Sequence, residues 1–295
     1  MALSCRVIAR FGSEVDLLQA DGECLRANLR RKVDDVVCGD IVAVDPVERV
    51  VTHRERRRNQ LSRRDGYNRL KTVAANIDRV WIVVAPFPGI PHLLIDRFLV
   101  GIYNLPASGG IIINKCDRME TDDGARLDRH LAGYAHLHLP ILRVSARTGV
   151  GLEHLRAAAA GGSNILVGPS GVGKSSLIQA LLPGERLRVG EVGQTGEGRH
   201  TTTTARWYAA GDAAWIDSPG VRDFSPEIHG IGELERGFPD LCESARHCRF
   251  RNCIHRSEPG CAVREAARQG ALPRSRLEAW LELVEGLQQP GLADA

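Results

Sequence analysis

Three features of the 295-residue sequence predict an α/β protein in three parts. Five short β-branched or alternating runs, separated by turn residues, fill positions 1–68 and predict an OB-fold-like β-barrel. Between 69 and 226 apolar runs alternate with helical patterns, which predicts a doubly wound sheet. From 227 to 295 a cysteine cluster is followed by an amphipathic helix, which predicts an α-rich segment organised by its cysteines.

In the N-terminal part the strands are Ser4–Phe11, Glu14–Leu18, Glu23–Leu29, Asp40–Val44 and Arg49–His53, with turns at Phe11-Gly12-Ser13, Asp21-Gly22 and Cys38-Gly39-Asp40. Five short strands suit a small barrel of the OB type, a fold that binds RNA or DNA. Phe11 and Tyr67 are the aromatics offered for base stacking, so shape and phosphate contacts have to dominate.

The net charge of +3, from 39 basic and 36 acidic residues, does not by itself mark a nucleic-acid binder. Its distribution is more telling. Eight basic residues stand between Arg54 and Lys71 against Glu55 and Asp65, and eight more between Arg246 and Arg276 against Glu258 and Glu265. Each window is either a solvated face or a phosphate-binding one. Apolar content of 43% and charged content of 25% are those of a globular protein in water. Arg6 and Arg10 occur without the apolar segment of a secretory signal, and Pro86, Pro88 and Pro91 break the run from Val80 to Ile95, so neither export nor membrane insertion is expected. A cytoplasmic location follows, in which eight cysteines serve as buried thiols or metal ligands.

In the central part the expected strands are Arg79–Ala85, Gly110–Asn114, Pro140–Val144, Asn164–Val167, Thr203–Tyr208 and Ala213–Ile216. The expected helices are Leu93–Leu105, Gly124–Tyr134, Leu152–Ala159 and Lys174–Leu182. Gly168-Pro169-Ser170-Gly171-Val172-Gly173-Lys174-Ser175-Ser176 joins a strand to a helix in the GxxxxGKS pattern of a phosphate-binding P-loop. Its backbone N–H groups wrap the phosphates at a helix N-terminus, Lys174 adds positive charge, and Ser175 offers an oxygen to Mg²⁺.

Two further motifs end strands at the same edge. Asn114-Lys115-Cys116-Asp117 fits the NKxD pattern, in which the carboxylate of Asp117 accepts hydrogen bonds from guanine N1–H and its exocyclic amine. Adenine lacks that donor pair, so the motif points to GTP and GDP. Lys115 packs along the base, and Ser145-Ala146 ends the next strand. Downstream, Gly198-Arg199-His200-Thr201-Thr202-Thr203-Thr204 has the composition of a switch loop. Among its threonines Thr202 is taken as the one that completes the Mg²⁺ shell. Asp217-Ser218-Pro219-Gly220 follows an apolar strand: Asp217 suits a water-mediated hold on Mg²⁺, and the Gly220 N–H can meet the γ phosphate. Val221 stands where many GTPases place a water-orienting glutamine, so slow intrinsic turnover is expected, and His200 becomes the candidate for positioning the water.

In the last part, Cys248, Cys253, His255 and Cys261 form a Cys₃His set suited to one structural Zn²⁺, with soft thiolate donors and no open position. The segment is short, and metal binding of roughly 10–16 kcal/mol is expected to supply most of its folding energy. Arg246, Arg249, Arg251 and Arg256 then decorate a rigid knuckle. The final helix, Arg274–Leu287, carries Leu277, Trp280, Leu281 and Val284 at core spacing.

Taken together, GxxxxGKS, the threonine loop, DxPG, NKxD and SA are the five signatures of translation-factor-like GTPases. Here NKxD and SA precede the P-loop, so the order is circularly permuted. With a barrel before and a cysteine cluster after, the whole chain resembles the ribosome small-subunit-dependent GTPase A family (RsgA, YjeQ). The resemblance implies a circularly permuted GTPase domain over 69–226, an RNA-binding barrel over 1–68 and a zinc-binding domain over 227–295 with the four ligands named. It also implies the 30S ribosomal subunit and its 16S rRNA as partners, and hydrolysis of GTP during late subunit maturation, stimulated by the subunit. A monomer is expected. The competing readings are a GTPase of another ribonucleoprotein or of translation, a metabolic P-loop kinase, which has no use for NKxD, and a non-enzymatic zinc-containing RNA-binding protein, which shows no turnover.

Overall fold

The computed structural model describes residues 2–64, 67, 69–182, 205–218 and 228–288. Strands β1 (Leu3–Phe11), β2 (Glu14–Leu18), β3 (Cys24–Leu29), β4 (Ile41–Asp45) and β5 (Val50–Arg54) run in the order β1-β2-β3-β5-β4, and β4 pairs back onto β1 to close a barrel. Alternation decides what lies inside: Cys5, Val7, Val15, Leu17, Val42, Val44 and Val51 share one buried cluster.

A hairpin follows, β6 (Gln60–Arg64) with β7 (Leu70–Ala75), whose strands lie on either side of residue 68. It is not legible in the sequence, because Arg63, Arg64 and Lys71 interrupt any apolar alternation. Tertiary contacts hold its base. Arg57, just before β6, makes two hydrogen bonds to the carboxylate of Asp40, which is completely buried, at 2.7 and 2.8 Å. Asn76, just after β7, donates to the Gly39 carbonyl at 3.0 Å.

The central sheet contains β8 (Arg79–Val84), β9 (Ser108–Ile113), β10 (Ile141–Arg143), β11 (Ser163–Val167), β12 (Arg206–Ala210) and β13 (Ala213–Asp217) in the order β10-β9-β8-β11-β13-β12. Neighbours pair in parallel except β12, which runs antiparallel to β13. Helices α1 (Leu94–Asn104), α2 (Asp122–Ala132), α3 (Leu152–Ala159) and α4 (Lys174–Leu181) cover both faces. Strand β8 shows why it reads as a continuous apolar run. Val80, Ile82 and Val84 face a layer with Phe98 and Leu99 of α1 and Leu127 of α2, whereas Trp81 and Val83 face Leu155 of α3 and Leu177 of α4.

The barrel joins this sheet edge to edge. Strand β1 pairs antiparallel with β12 at Ala9 and Arg206, giving eleven strands in one sheet. Two cation–π contacts flank the joint, Arg6 over Trp207 at 5.4 Å and Arg206 over Phe11 at 5.5 Å. Arg26 also covers Phe11, at 5.4 Å, so that ring is engaged within the fold.

The C-terminal part folds as α5 (Ile231–Arg236), α6 (Pro239–Ala245), α7 (Ala262–Gln269) and α8 (Arg274–Gln288). Here two expectations need correction. The segment does bury a core of its own: Leu234, Phe238, Leu241, Val263, Leu272, Trp280, Leu283 and Val284 cluster together with Val100 of α1. It therefore has apolar stabilisation beyond any metal, partly by using the surface of a neighbouring helix. In α8 the buried positions are Arg276, Ala279, Trp280, Leu283 and Val284, and Leu277 and Leu281 pack against the same core while partly buried. The inward face is turned from the apolar stripe because it includes an arginine, which no hydrophobic pattern shows.

Arg276 is 1% exposed and is held by acids from two directions. Its guanidinium meets Asp96 of α1 at 2.5 Å and both oxygens of Asp240 in α6 at 2.9 and 3.0 Å, and lies 4.0 Å from the Phe238 ring centre. Tyr134 donates to the other Asp96 oxygen at 2.7 Å, and His136 bonds Asp240 at 2.8 Å. Burial opposes the charge, but the two carboxylates outweigh it and the Arg276 pKa is raised. One side chain thus clamps the C-terminal helices to α1 and to the turn after α2. Arg276→Ala leaves two buried carboxylates without their counter-charge, and an unfolding free energy lower by about 3–5 kcal/mol is expected in denaturant titration.

Candidate nucleotide site and metal centre

The P-loop bends sharply between β11 and α4. Gly168 has φ 137°, and a Cβ there would sit 2.3 Å from the Val83 carbonyl oxygen; Gly173 has φ 93°, and a Cβ there would sit 2.4 Å from the Asn114 amide nitrogen. Neither position tolerates a side chain. Between them Pro169 is half-buried, Ser170 and Gly171 form an exposed crest, and Val172 is buried beneath it. Helix α4 starts at Lys174 with no side-chain cap, so no capping side chain takes its first N–H groups at the positive end of the helix dipole. Lys174 Nζ donates to the carbonyls of Gly168 and Pro169 at 2.5 and 2.7 Å, which arches the loop. Ser175 and Ser176 follow in the first turn of α4, half-buried and exposed.

The NKxD residues reach this loop from the end of β9. Asn114 is 1% exposed; its amide donates to the Val172 carbonyl at 2.8 Å, and its oxygen accepts the Ala146 N–H at 3.2 Å. Lys115 takes a left-handed conformation, φ 59°, and its ammonium donates to the carbonyls of Gly171 and Phe87 at 2.6 and 3.0 Å. Asp117 accepts from Ser145 Oγ at 2.5 Å on one oxygen and from Arg147 at 2.7 and 3.2 Å on the other. These hydrogen bonds, Ser145 first and Arg147 second, hold the Asp117 pKa down to about 2. Asn114, Lys115, Asp117, Ser145, Ala146, Gly173 and Ser176 line one cavity of about 240 Å³, with Arg118 and Arg147 at its rim. Residues separated by more than fifty positions in the chain, and reversed in their usual order, therefore meet in one place.

Asp217 ends β13, which pairs in parallel with β11, so its carboxylate stands at the same edge of the sheet as the P-loop. A hydroxyl from Ser175 and this carboxylate are the hard oxygen donors that suit Mg²⁺. His200, Thr202 and the rest of Thr201–Thr204, Gly220 and Val221 lie outside the described residues.

The second cluster is the Cys₃His set. The donor atoms of Cys248, Cys253, His255 and Cys261 all lie within 4.8 Å of one another. Cys248 and Cys261 place their sulfurs 3.7 and 3.4 Å from His255 Nδ1 and 3.9 Å from each other. A tetrahedral zinc with Zn–S of about 2.3 Å spaces its donors about 3.5–3.8 Å apart, so the set fits. Burial lowers the His255 pKa, which keeps the imidazole neutral as a ligand requires. The knuckle is braced from within and from outside: the Glu258 carboxylate accepts N–H bonds from Ile254 and Ser257 at 2.8 and 3.0 Å, and Trp280 of α8 donates to the Ile254 carbonyl at 3.0 Å. Cys242 bonds the Glu235 carbonyl at 3.3 Å and stays outside the cluster.

These features have close counterparts. The model of the RsgA GTPase family matches residues 54–227. A protein of Azotobacter vinelandii named small ribosomal subunit biogenesis GTPase RsgA is 42% identical over 294 residues, covering 96% of this chain and 85% of that one. A Pseudomonas aeruginosa protein of the same name is 39% identical with the same coverage. The chain belongs to the RsgA GTPase family. The crystal structure of YjeQ from Thermotoga maritima matches with a TM-score of 0.78 at 29% identity, covering 98% of this chain and 99% of that one. That of YloQ, a circularly permuted GTPase, matches in fold with a TM-score of 0.75 at 23% identity, over 98% and 96% of the two chains. Among the described residues, no helix is long and apolar enough to cross a membrane.

Two contributors to the site are missing from the motif reading. Arg147 directly follows Ser145-Ala146, and that adjacency is its only signal. Phe87 lies in the Pro86–Gly89 turn after β8, whose carbonyl takes the Lys115 ammonium. Since the Asp117 pKa lies below the ordinary 3.8, its carboxylate contacts are complete above about pH 4 and are lost as pH falls through about 2. Replacing Ser145 by Ala removes the larger cause, so an NMR titration of the Asp117 carboxyl is expected to move up from about 2 toward 3.8; an unmoved value would assign the effect to Arg147.

Proposed function

We propose that this chain hydrolyses GTP to GDP and phosphate on the 30S ribosomal subunit during late maturation, with the subunit stimulating turnover. The observation that carries this reading is the single cavity in which the base-reading residues Asn114, Lys115, Asp117, Ser145 and Ala146 adjoin Gly173 and Ser176 of the P-loop. The relatives named as small ribosomal subunit biogenesis GTPases point to the partner.

In this reading the Asp117 carboxylate receives guanine N1–H and the exocyclic amine, and Ser145 holds that carboxylate in place. Asn114 keeps the base-binding loops in register with the P-loop. The amides of Gly168 through Ser176 and the Lys174 ammonium surround the phosphates and stabilise charge as water attacks the γ phosphate in line. Lys174 must exchange its carbonyl partners for phosphate oxygens. Ser175, Thr202 and Asp217 would hold Mg²⁺, which supplies positive charge to the β and γ phosphates. Gly220 offers an N–H to the γ phosphate, and His200 positions the water in place of the glutamine that Val221 replaces.

Contacts to 16S rRNA fall to the basic residues that internal pairing leaves exposed. Arg54, Arg57 and Arg58 are paired with Asp35, Asp40 and Asp78, and Arg256 and Arg268 with Glu285 and Glu265. Arg56, Arg63 and Lys71 around the hairpin, and Arg246, Arg249 and Arg251 on the knuckle, are exposed and are the better candidates. Arg249 lies 5.5 Å from the ring of the exposed Phe250, a pairing that also suits a stacked base. The Cys₃His set holds one structural Zn²⁺ that fixes this knuckle. A monomer in the cytoplasm completes the reading, with the boundaries near 68 and 226 separating barrel, GTPase and zinc-binding parts.

The direct test is GTP turnover with and without purified 30S subunits. A rate increase of at least tenfold is expected with the subunits, together with tighter subunit binding in a nonhydrolysable GTP analogue than in GDP. His200→Ala is expected to abolish the increase while leaving GTP binding intact, and a fully stimulated variant removes His200 from the mechanism. For the metal, elemental analysis is expected to give one zinc per chain, reduced in Cys253→Ser, with a lower unfolding midpoint in chelator.

A further inference from the structure

We propose that Arg147 competes with guanine for the Asp117 carboxylate, and so sets how tightly and how selectively the base is held. This rests on the guanine reading above.

The argument begins with the number of places on one carboxylate. Two oxygens offer about four acceptor sites, and guanine requires two of them, one for N1–H and one for the amine. In the structure Ser145 Oγ takes one at 2.5 Å, while Arg147 Nε and Nη2 both bond the other oxygen, at 3.2 and 2.7 Å. Three of four places are filled, so the full guanine pair and both Arg147 bonds cannot coexist.

Which partner yields is decided by burial. Ser145 is completely buried, and its Oγ in turn accepts the Thr148 N–H at 3.2 Å, so that hydroxyl is locked as a donor to Asp117. The Arg147 side chain is 76% exposed against 16% for Asp117, and no second bond of Arg147 anchors it among the described residues. Lys115 and Arg118, the other cations at the cavity, do not replace it: Lys115 is committed to the carbonyls of Gly171 and Phe87. Arg118 lines the cavity without any ion pair to Asp117 among the described residues. Arg147 is therefore the group that moves aside, and the energy of its exposed ion pair is subtracted from guanine affinity. Exposed pairs of this kind change equilibria by up to about fivefold and are weakened by salt.

The experiment measures GDP, guanosine and ADP binding to the full chain by calorimetry, at about 0.05 M and about 0.5 M salt. Arg147→Ala is expected to bind GDP about three- to fivefold more tightly than the parent at low salt, with the advantage shrinking toward unity at high salt. Guanosine, which lacks the phosphates, is expected to show the same ratio, because the effect lies at the base. Arg147→Lys, which keeps the charge but not the two-point contact, is expected to fall between. Equal or weaker GDP binding by Arg147→Ala at low salt overturns the proposal, the weaker case assigning Arg147 to holding the base. Loss of preference for GDP over ADP in the parent chain itself would instead remove the guanine reading on which the proposal stands.

Discussion

One buried amide holds the candidate site together. Asn114 gives its N–H to the P-loop at Val172 and takes the Ala146 N–H on its oxygen, so a single side chain ties the end of β9 to the two loops that flank it in space. The bond to Val172 is buried and the bond from Ala146 partly so, and an unmade partner there costs more than in solvent. The approach is possible only because Gly173 lacks a Cβ where the amide comes in. The loops stand 32 and 58 positions from Asn114 in the chain, yet they meet at this one side chain. Contacts across a sheet edge depend on which strands are neighbours and not on the order in which the chain visits them.

The basic residues divide on the same principle of burial. Arg57 and Arg276 belong to the two windows that read as nucleic-acid surfaces, yet each is buried against acids and serves to join parts of the molecule. Arg57 anchors the hairpin to the barrel, and Arg276 anchors the C-terminal helices to α1. The second joint also connects the C-terminal helices to the candidate site. Helix α1 follows β8, whose next turn carries the Phe87 carbonyl that Lys115 holds. The C-terminal helices are therefore in contact with the site through α1 and β8, in addition to the covalent path after Asp217. Exposed cations of the two windows remain on the hairpin, on the knuckle and, at Arg264 and Arg274, on the helices that follow it.

The Cys₃His cluster shows both levels of organisation at once. Its four donors come from one short stretch of chain, so their spacing is enough to recognise them. Glu258 braces it from within that stretch, whereas the support of Trp280 and of the apolar core under α7 and α8 comes from farther away. A knuckle supported in this way presents Arg249 and Phe250 on a fixed backbone.

What the sequence determined by itself is what depends on short-range chemistry. Alternating and helical periodicities marked the five barrel strands and the strands and helices of the central sheet, because burial on one face or two leaves a local pattern. The P-loop, NKxD, SA and cysteine motifs were readable because each function demands particular residues at fixed spacing. The tertiary structure alone decided the β6–β7 hairpin, the inward turn of α8 around Arg276, the joining of the barrel to β12, and the contact of Arg147 with Asp117. The barrel joint is backbone pairing between distant strands, and the other three depend on a charged or polar side chain finding a partner from a distant part of the chain. Sequence displays such a residue as exposed by default, since burial of a charge becomes favourable only once its counter-charge has been brought beside it by the fold.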